Sequence, residues 1–169
     1  MPSRPSLPLL LSAAAALLGG AVTADASWKV GDALPDLAGY RLEGTLPADT
    51  AGKVVVVDFW ASWCGPCGAS FPVMDELQKK YGPQGLVIIA VNEDEAKSDM
   101  QDFLKDHHVT FTIVRDAKQK LVEIANVSTM PASFLIGTDG KVAFTHSGFH
   151  GAETRKQYEQ EIESLLKKK

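Results

Sequence analysis

Apolar residues occur along this chain in short continuous runs that alternate with stretches of helical periodicity. Two runs, Val54–Trp60 and residues 86–91, are rich in β-branched side chains and almost free of polar ones. Strands buried on both faces have this composition, because helices cover both sides of a parallel sheet. Residues 109–114 predict a third strand of the same kind. The runs therefore indicate a sheet at the centre of the domain.

Between the predicted strands, apolar residues recur three or four positions apart, as they do along one face of a helix. Pro66 suits the first turn of the first helix. Ser98 and Gln101 form a capping-box pattern at the start of the second. The apolar positions of the four predicted helices are Phe71, Met74, Leu77 and Tyr81, then Met100, Phe103 and Leu104, then Leu121, Ile124 and Ala125, and finally Tyr158, Ile162, Leu165 and Leu166.

Asp139-Gly140 separates two further strand candidates, Ala132–Ile136 and residues 142–146, and is a strong signal for a hairpin. Parallel strands need crossover helices, whereas a terminal hairpin adds antiparallel strands. We therefore predict an α/β domain of three layers, with a central mixed β-sheet flanked by helices. Residues 27–53, punctuated by Gly and Pro, are expected to form an N-terminal extension that wraps the sheet edge as a small hairpin.

The first 26 residues have the layout of a secretory signal peptide. Arg4 is followed by an apolar run over residues 7–18, and Ala24-Asp25-Ala26 forms an A-x-A cleavage pattern. The run is shorter than the ~20 apolar residues of a membrane span, so an uncleaved anchor is the lesser alternative. We expect residues 1–26 to be removed on export, and residues 27–169 to form one domain in the periplasm.

Composition and charge describe an ordinary globular protein. Of its 169 residues 45% are hydrophobic, and 17 basic residues stand against 21 acidic ones, for a formal net charge of −4. The absence of a long basic block argues against nucleic-acid binding. Two cysteines, Cys64 and Cys67, cannot build the disulfide framework of a small secreted domain. We expect a monomer.

Both cysteines lie in Trp63-Cys64-Gly65-Pro66-Cys67, where a predicted buried strand ends and a helix begins. The unpaired N–H groups and the positive dipole end of a helix N-terminus stabilise a thiolate. Cys64 is predicted to attack a substrate disulfide, and Cys67 to resolve the mixed disulfide that forms. Gly65 and Pro66 influence the balance between dithiol and disulfide. The spacing thus predicts thiol–disulfide exchange, with no metal and no cofactor beyond the cysteine pair.

Other interpretations of the cysteine pair are open. An inert disulfide closing so short a ring removes little loop entropy. A zinc site needs two more ligands, and no second C-x-x-C exists. The candidate histidines are His107, His108, His146 and His150. A copper-binding metallochaperone module using Cys64, Cys67 and Met130 or His146 is chemically reasonable, because soft sulfur ligands suit Cu(I).

Asp58 is the one charged residue in the first buried strand. A carboxylate in that position loses its hydration and is costly to bury without a role. Our hypothesis is that Asp58 accepts and returns the proton of Cys67, directly or through one water molecule. The alternative is a carboxylate satisfied by a lysine or a water molecule beneath the sheet.

Two further polar groups lie near strand ends. Glu93, Asp94 and Glu95 follow the second predicted strand, on the side of the sheet where active sites of such folds lie. A solvated loop is expected there, with contact to a client protein as the alternative. His146 and His150, near the terminal hairpin, are expected to be structural or surface residues rather than catalytic ones.

The sequence resembles the thioredoxin superfamily in several motifs at once. The motifs are VVDFWASWCGPC, Pro72 five residues after Cys67, and VSTMPASFLI with its Pro at the head of a predicted strand. Together with Gly52-Lys53 and Asp139-Gly140, they resemble the exported TlpA/ResA-like subgroup. The similarity runs from about residue 30 to residue 166.

This resemblance implies a thioredoxin-like fold and a cis peptide bond between Met130 and Pro131, beside the cysteine pair. Met130 would then pair with the substrate chain, Pro131 would keep metal ions off the thiols, and Trp63 would flank the active site. Asp58 matches the buried aspartate of thioredoxin. Many TlpA/ResA-like proteins instead carry a glutamate three residues after the second cysteine, where this chain has Ser70.

Members of the subgroup are commonly extracytoplasmic disulfide reductases. They draw electrons from a membrane thiol transporter and reduce clients such as apocytochrome c or the copper-site cysteines of cytochrome oxidase assembly. By resemblance we expect a periplasmic reductase of protein disulfides. The same chemistry run as an oxidant or isomerase is the first alternative, although Gly-Pro between the cysteines is more similar to the reducing thioredoxins.

Overall fold

The structure is a computed structural model that describes residues 28–168. The predicted signal segment, residues 1–26, lies outside the described residues. The strands are β1 (Glu43–Gly44), β2 (Val54–Trp60), β3 (Leu86–Asn92), β4 (Thr112–Arg115), β5 (Ala132–Ile136) and β6 (Val142–Ser147). The helices are α1 (Gly65–Tyr81), α2 (Lys97–Asp106), α3 (Lys120–Ala125) and α4 (Ala152–Leu166). Between residues 28 and 168, none of the helices has the length and apolar character needed to cross a membrane.

The strands form a single mixed sheet in the order β1-β4-β3-β2-β5-β6. β2 lies at its centre, parallel to β3 and antiparallel to β5. β4 runs parallel to β3, and β5 and β6 form the antiparallel hairpin that Asp139-Gly140 predicted. The predicted fold class, a three-layer α/β domain with a mixed sheet, is confirmed.

Side chains of β2 alternate between two hydrophobic cores, one on each face of the sheet. Val54 and Val56 face a core built with α1 and α4, whereas Val55, Val57 and Phe59 face one built with α3 and the N-terminal extension. Every residue of β2 is buried, as expected for a strand covered on both faces. The cysteine pair therefore follows the carboxyl end of a strand that is buried on both faces.

The N-terminal extension lies at the sheet edge as predicted, but it does not form the expected small hairpin. It forms a short 3-10 helix, Leu37–Tyr40, and the strand β1, which pairs with β4 rather than with a hairpin partner of its own. Ala33 bridges to Lys141 on the other side of the sheet. Side-chain burial also holds the segment, since Trp28 packs on Phe59 and Phe134 with ring centroids 5.8 and 4.9 Å away.

Two element starts also differ from prediction. The second helix begins at Lys97, and its N-cap Ala96 makes no side-chain capping bond, so the predicted capping box at Ser98 is wrong. β4 begins at Thr112 rather than at residue 109. The preceding Thr110 is tied to α1 instead, because its backbone N–H and hydroxyl donate to Asp75 at 2.6 and 2.7 Å.

Candidate active site

The cysteine pair occupies the N-terminus of α1, directly after the central strand. Cys64 is the N-cap residue, and its sulfur accepts a hydrogen bond from the Cys67 N–H at 3.3 Å. Pro66 lies in the first turn of the helix, as predicted. The sulfur of Cys64 is thus held over the end of the helix where backbone N–H groups favour negative charge.

Cys64 and Cys67 form a disulfide, with their Cα atoms 5.2 Å apart. Cys64 is 6% exposed and Cys67 is completely buried, so the first sulfur lies nearer the surface, in the predicted order. Trp63, immediately before the pair, is 71% exposed. An incoming disulfide therefore meets Trp63 and Cys64 first.

A cleft of about 510 Å³ lies beside Cys64. Four separate parts of the chain line it: the start of α1, the residue that follows β3, the start of α3 and the loop that leads to β5. The predicted site residues Trp63, Cys64, Gly65, Pro66 and Met130 lie in its wall. A larger cavity of about 750 Å³, between the N-terminal extension and the β5–β6 turn, touches none of the predicted site residues.

The peptide bond between Met130 and Pro131 is cis, as the resemblance implied. Met130 is half-buried and lines the cleft opposite Cys64, whereas Pro131 is buried at the head of β5. The Pro131 carbonyl accepts a hydrogen bond from Gly148 at 2.7 Å. The loop before β5 thus forms one wall of the cleft.

Asp58 is 1% exposed in the middle of β2. Its register partner on β5 is Ser133, whose hydroxyl donates a hydrogen bond of 2.5 Å to the carboxyl group. Burial raises the pKa of Asp58 to about 7, and the hydrogen bond from Ser133 offsets part of that effect. A serine hydroxyl, rather than the lysine considered in the alternative, is the partner of this carboxyl group.

The hydrogen-bonded chain continues from Asp58 toward α4. The Ser133 hydroxyl is 2.7 Å from the hydroxyl of Tyr158, which is itself buried. Burial and the nearby Asp58 raise the pKa of Tyr158. The ring of His146 packs against Tyr158 at 4.7 Å, and its Nε2 lies 2.6 Å from the Glu161 carboxylate. Ser133 and Tyr158 were not predicted as site residues from the sequence. The signal for Ser133 was its polar side chain within the otherwise apolar, buried strand β5.

The acidic run after β3 is not the solvated loop predicted from the sequence. Glu93 and Asp94 are buried, and Glu95 alone is exposed. Asp94 accepts hydrogen bonds from the backbone and hydroxyl of Ser62 and from the amide of Asn92. This carboxylate therefore fixes the loop that precedes the cysteine pair, which is why it is buried.

Glu93 lines the cleft with Cys64 and is 5% exposed. Neither of its carboxyl oxygens has a hydrogen-bond partner within residues 28–168. Burial, Asp116 and Asp94, in that order, raise the pKa of Glu93 to about 9. The side chain is therefore uncharged at pH 7.

Other potential ligands are engaged elsewhere. His107 stacks on Phe103 and bonds its carbonyl oxygen at 2.9 Å. Ser70, at the position where many TlpA/ResA-like proteins have glutamate, is buried and donates to the Cys67 carbonyl at 2.8 Å. Within residues 28–168, there is no group of three or more His, Cys, Asp or Glu side chains that could hold a metal ion.

A CxxC disulfide at the start of a helix, facing a cis-proline loop on a mixed sheet between two helical layers, defines the thioredoxin-like thiol–disulfide oxidoreductases. The sequence profile of the Redoxin family matches residues 29–162. The chain belongs to this family, and within it to the TlpA/ResA-like proteins.

Several characterised relatives are similar over most of the domain. The thiol-disulfide oxidoreductase ResA of Bacillus subtilis (strain 168) is 37% identical over 115 residues, which are 68% of this chain and 63% of the relative, just under two thirds of its length. ResA of Bacillus thuringiensis subsp. konkukian is 32% identical over 151 residues, 88% of this chain and 86% of the relative. The crystal structure of a Chlorobium tepidum protein assigned as thiol:disulfide interchange protein DsbE is 40% identical, with a TM-score of 0.76, and covers 83% of this chain and 99% of its own.

Proposed function

We propose that this protein is a periplasmic reductase of protein disulfides. The observation that carries the proposal is the Cys64–Cys67 pair at the mouth of a cleft bounded by Trp63 and Met130. The similarity to ResA and to DsbE supports exchange with protein thiols. The signal-peptide pattern of residues 1–26 supports export to the periplasm and cleavage of this segment. An uncleaved membrane anchor is the alternative.

The reaction is two successive displacements at sulfur. The Cys64 thiolate attacks one sulfur of a client disulfide, forms a mixed disulfide, and releases the other client sulfur as a thiolate. The Cys67 thiolate then attacks the Cys64 sulfur and releases the second client thiolate. Two electrons pass from the cysteine pair to the client, and the pair becomes the disulfide seen in the structure. No cofactor beyond this pair is required.

Asp58 supplies the base for the second displacement. Cys67 is completely buried and needs a proton acceptor before it attacks. A carboxyl group whose pKa is about 7 exchanges protons readily at neutral pH, which is the property that a general base needs. Ser133 donates to the carboxyl group, and the hydroxyl of Tyr158, bonded to that of Ser133, connects it to α4.

The proposed clients are apocytochrome c or the copper-site cysteines of oxidase assembly, and the proposed electron donor is a membrane thiol transporter. Similarity to ResA and DsbE motivates this assignment. Trapping tests it: in the native periplasm a Cys67→Ser variant should accumulate a mixed disulfide with its client, and a Cys64→Ser variant should not. Equal capture by both variants would contradict the assigned order of attack.

The direction of electron flow is tested by a redox titration of the purified protein against glutathione. A reductase should show a potential close to the value of about −270 mV for thioredoxin, whereas about −120 mV, the value for DsbA, would make the protein an oxidant. Tight Cu(I) binding together with negligible reduction of insulin disulfides would instead favour the metallochaperone alternative.

A further inference from the structure

Glu93 is a buried acid that the exchange reaction does not use. It follows β3 directly, and both of its backbone polar groups are hydrogen-bonded. The Glu93 N–H donates to the Trp60 carbonyl at 2.9 Å, and the Glu93 carbonyl accepts from the side-chain amide of Gln119 at 3.4 Å. The residue lines the cleft that Cys64 borders. Its position is therefore set by the sheet, on the same surface as the reacting sulfur.

Burial, and after it the charges of two neighbouring acids, raise the pKa of Glu93 and keep it neutral. Asp94 and Asp116 are the acidic groups that face it, and both raise its pKa. The Oδ2 atom of Asp116 accepts hydrogen bonds from the N–H groups of Leu121 and Val122, and its Oδ1 atom has no partner among residues 28–168. The Arg115 guanidinium donates to the carbonyls of residues 94 and 95 and to Glu43 rather than to this carboxyl group.

An uncharged carboxylic acid offers one O–H donor and one carbonyl acceptor. These are the complements of the two polar groups in a peptide unit. Both oxygens of Glu93 lack a partner among residues 28–168, and a buried polar group without a partner is costly. A bound peptide segment that supplied both partners would remove that cost.

We propose that the Glu93 carboxyl group binds the client chain, by hydrogen-bonding a peptide unit of the segment that lies in the cleft against Cys64. Trp63 and Met130 are apolar residues of the cleft lining, and Glu93 is its acidic residue. The proposal rests on the proposed reduction of protein disulfides and adds the residue that distinguishes a polypeptide from a small disulfide.

The test compares two substrates, insulin and 2-hydroxyethyl disulfide, of which only insulin has a chain that reaches across the cleft. The purified protein is reduced, separated from reductant and mixed with excess substrate, and its oxidation is followed by tryptophan fluorescence. The variants are Glu93→Gln, which keeps a donor and an acceptor, and Glu93→Leu, which removes both. Glu95→Gln is the matched control, because it removes an exposed acid two residues away.

At pH 7 the Glu93→Leu variant should need about 3- to 10-fold more insulin for half-saturation, with an unchanged limiting rate, as expected for the loss of one or two hydrogen bonds. Its reaction with 2-hydroxyethyl disulfide should be unchanged, and Glu93→Gln and Glu95→Gln should match the wild type on both substrates. Raising the pH through 9 should weaken insulin binding by the wild type but not by Glu93→Gln, since only the acid becomes charged. The reaction with 2-hydroxyethyl disulfide at the same pH values reports the titration of the thiols in each protein.

Three results would overturn the proposal. In the first, Glu93→Leu binds insulin as the wild type does. In the second, it slows both substrates equally, which would place the effect on the cysteines. In the third, Glu93→Gln has a lower limiting rate at pH 7 but needs the same insulin concentration for half-saturation, which would make Glu93 a proton donor. If the wild-type protein reduces 2-hydroxyethyl disulfide but not insulin, the proposed function fails and this proposal fails with it. Thermal unfolding checks that each variant is folded, and Glu93→Met replaces Glu93→Leu if the latter is not.

Discussion

Asp58 lies in the middle of a buried strand, where its carboxyl group accepts a hydrogen bond from Ser133. Burial makes the ionised form unfavourable, so the folded protein holds the proton of Asp58 up to about pH 7, whereas the unfolded chain releases it near pH 4. The folded state therefore binds more protons than the unfolded state across that interval. By linkage, the contribution of Asp58 to stability falls as the pH rises from 4 to 7 and stays low above it.

Replacing Asp58 by Asn should accordingly stabilise the oxidised protein at pH 8. The expected gain in the free energy of unfolding is up to about 4 kcal/mol, at about 1.36 kcal/mol for each unit by which the pKa is raised. At pH 3.5 the gain should disappear, because Asp58 is then protonated in both states. Urea unfolding at the two pH values measures this, and a gain that is the same at both would show that ionisation of Asp58 is not its cause.

The hydroxyl groups of Ser133 and Tyr158 should lower the pKa of Asp58, the proposed base. Because the Ser133 hydrogen bond lowers the pKa of Asp58, Ser133→Ala should move the pH midpoint of mixed-disulfide resolution upward by about one unit. Tyr158→Phe keeps the packing and should move it in the same direction by less, and Tyr40→Phe is the control. The measurement is stopped-flow kinetics of the second displacement against pH, and midpoints that coincide with that of the wild type would exclude this positioning role.

At the scale of residues, the sequence predicted the cysteines and the unusual Asp58 but not their surroundings. Asp58 stands out because charge is rare in a β-branched run. Ser133 and Tyr158 become its partners through strand register and helix packing, which no local pattern encodes. The burial of Glu93 was mispredicted for the same reason, since its surroundings come from β2, α3 and the loop before it.

At the scale of elements, the edge strand β1 fixes the loop that carries Glu93. Glu43 of β1 pairs with Arg115 at 3.0 Å, and the Arg115 guanidinium donates to the carbonyls of residues 94 and 95. Gly44 makes the close pairing with β4 feasible: its φ is +121°, and a Cβ there would lie 2.9 Å from the Ile113 carbonyl oxygen. The short β1 strand thus needs glycine at this position.

Gly44→Ala should therefore destabilise the protein, by about 1–3 kcal/mol, through backbone strain and the steric clash with β4. Gly39→Ala is the matched control, because a Cβ at Gly39 meets nothing within 4 Å and its φ is not in the left-handed region. Urea unfolding of the two variants gives the comparison. Equal stabilities would show that β1 is not held as closely as the structure indicates.

The major elements were predictable because each follows a clear period. The β-branched runs gave β2 and β3, the Asp-Gly turn gave the β5–β6 hairpin, and the apolar spacing gave α1, α3 and α4. The errors lie where a tertiary contact overrides a local signal. Thr110 bonds to Asp75 and delays the start of β4, and β1 pairs with a strand far along the chain instead of forming a local hairpin.

Across the whole molecule, the cleft brings together segments that are far apart in the sequence, such as those around residues 63, 93 and 130. No local pattern in the sequence could therefore predict which residues line it. Two buried acids with raised pKa values also give the molecule an unusual response to pH. The pKa values of Asp58 and Glu93 are raised to about 7 and about 9, so each releases its proton at a higher pH in the folded state than in the unfolded chain.

The free energy of unfolding of the wild type should therefore fall steadily between about pH 5 and pH 9. A double variant, Asp58→Asn with Glu93→Gln, should show a much flatter profile over this interval, because both linked protons are removed. Guanidinium unfolding at half-unit pH steps measures both profiles. Parallel profiles for the wild type and the double variant would contradict the assignment of raised pKa values to these two buried acids.

Intact-protein mass spectrometry of one turnover with insulin shows whether Cys64 attacks a protein disulfide and Cys67 releases the product. The reduced wild-type protein should end as the Cys64–Cys67 disulfide with free insulin chains. The Cys67→Ser variant should stop as a covalent adduct with an insulin chain through Cys64, and the Cys64→Ser variant should form none. An adduct that forms through Cys67 in the Cys64→Ser variant at the same rate, or no adduct with either variant, would contradict the account.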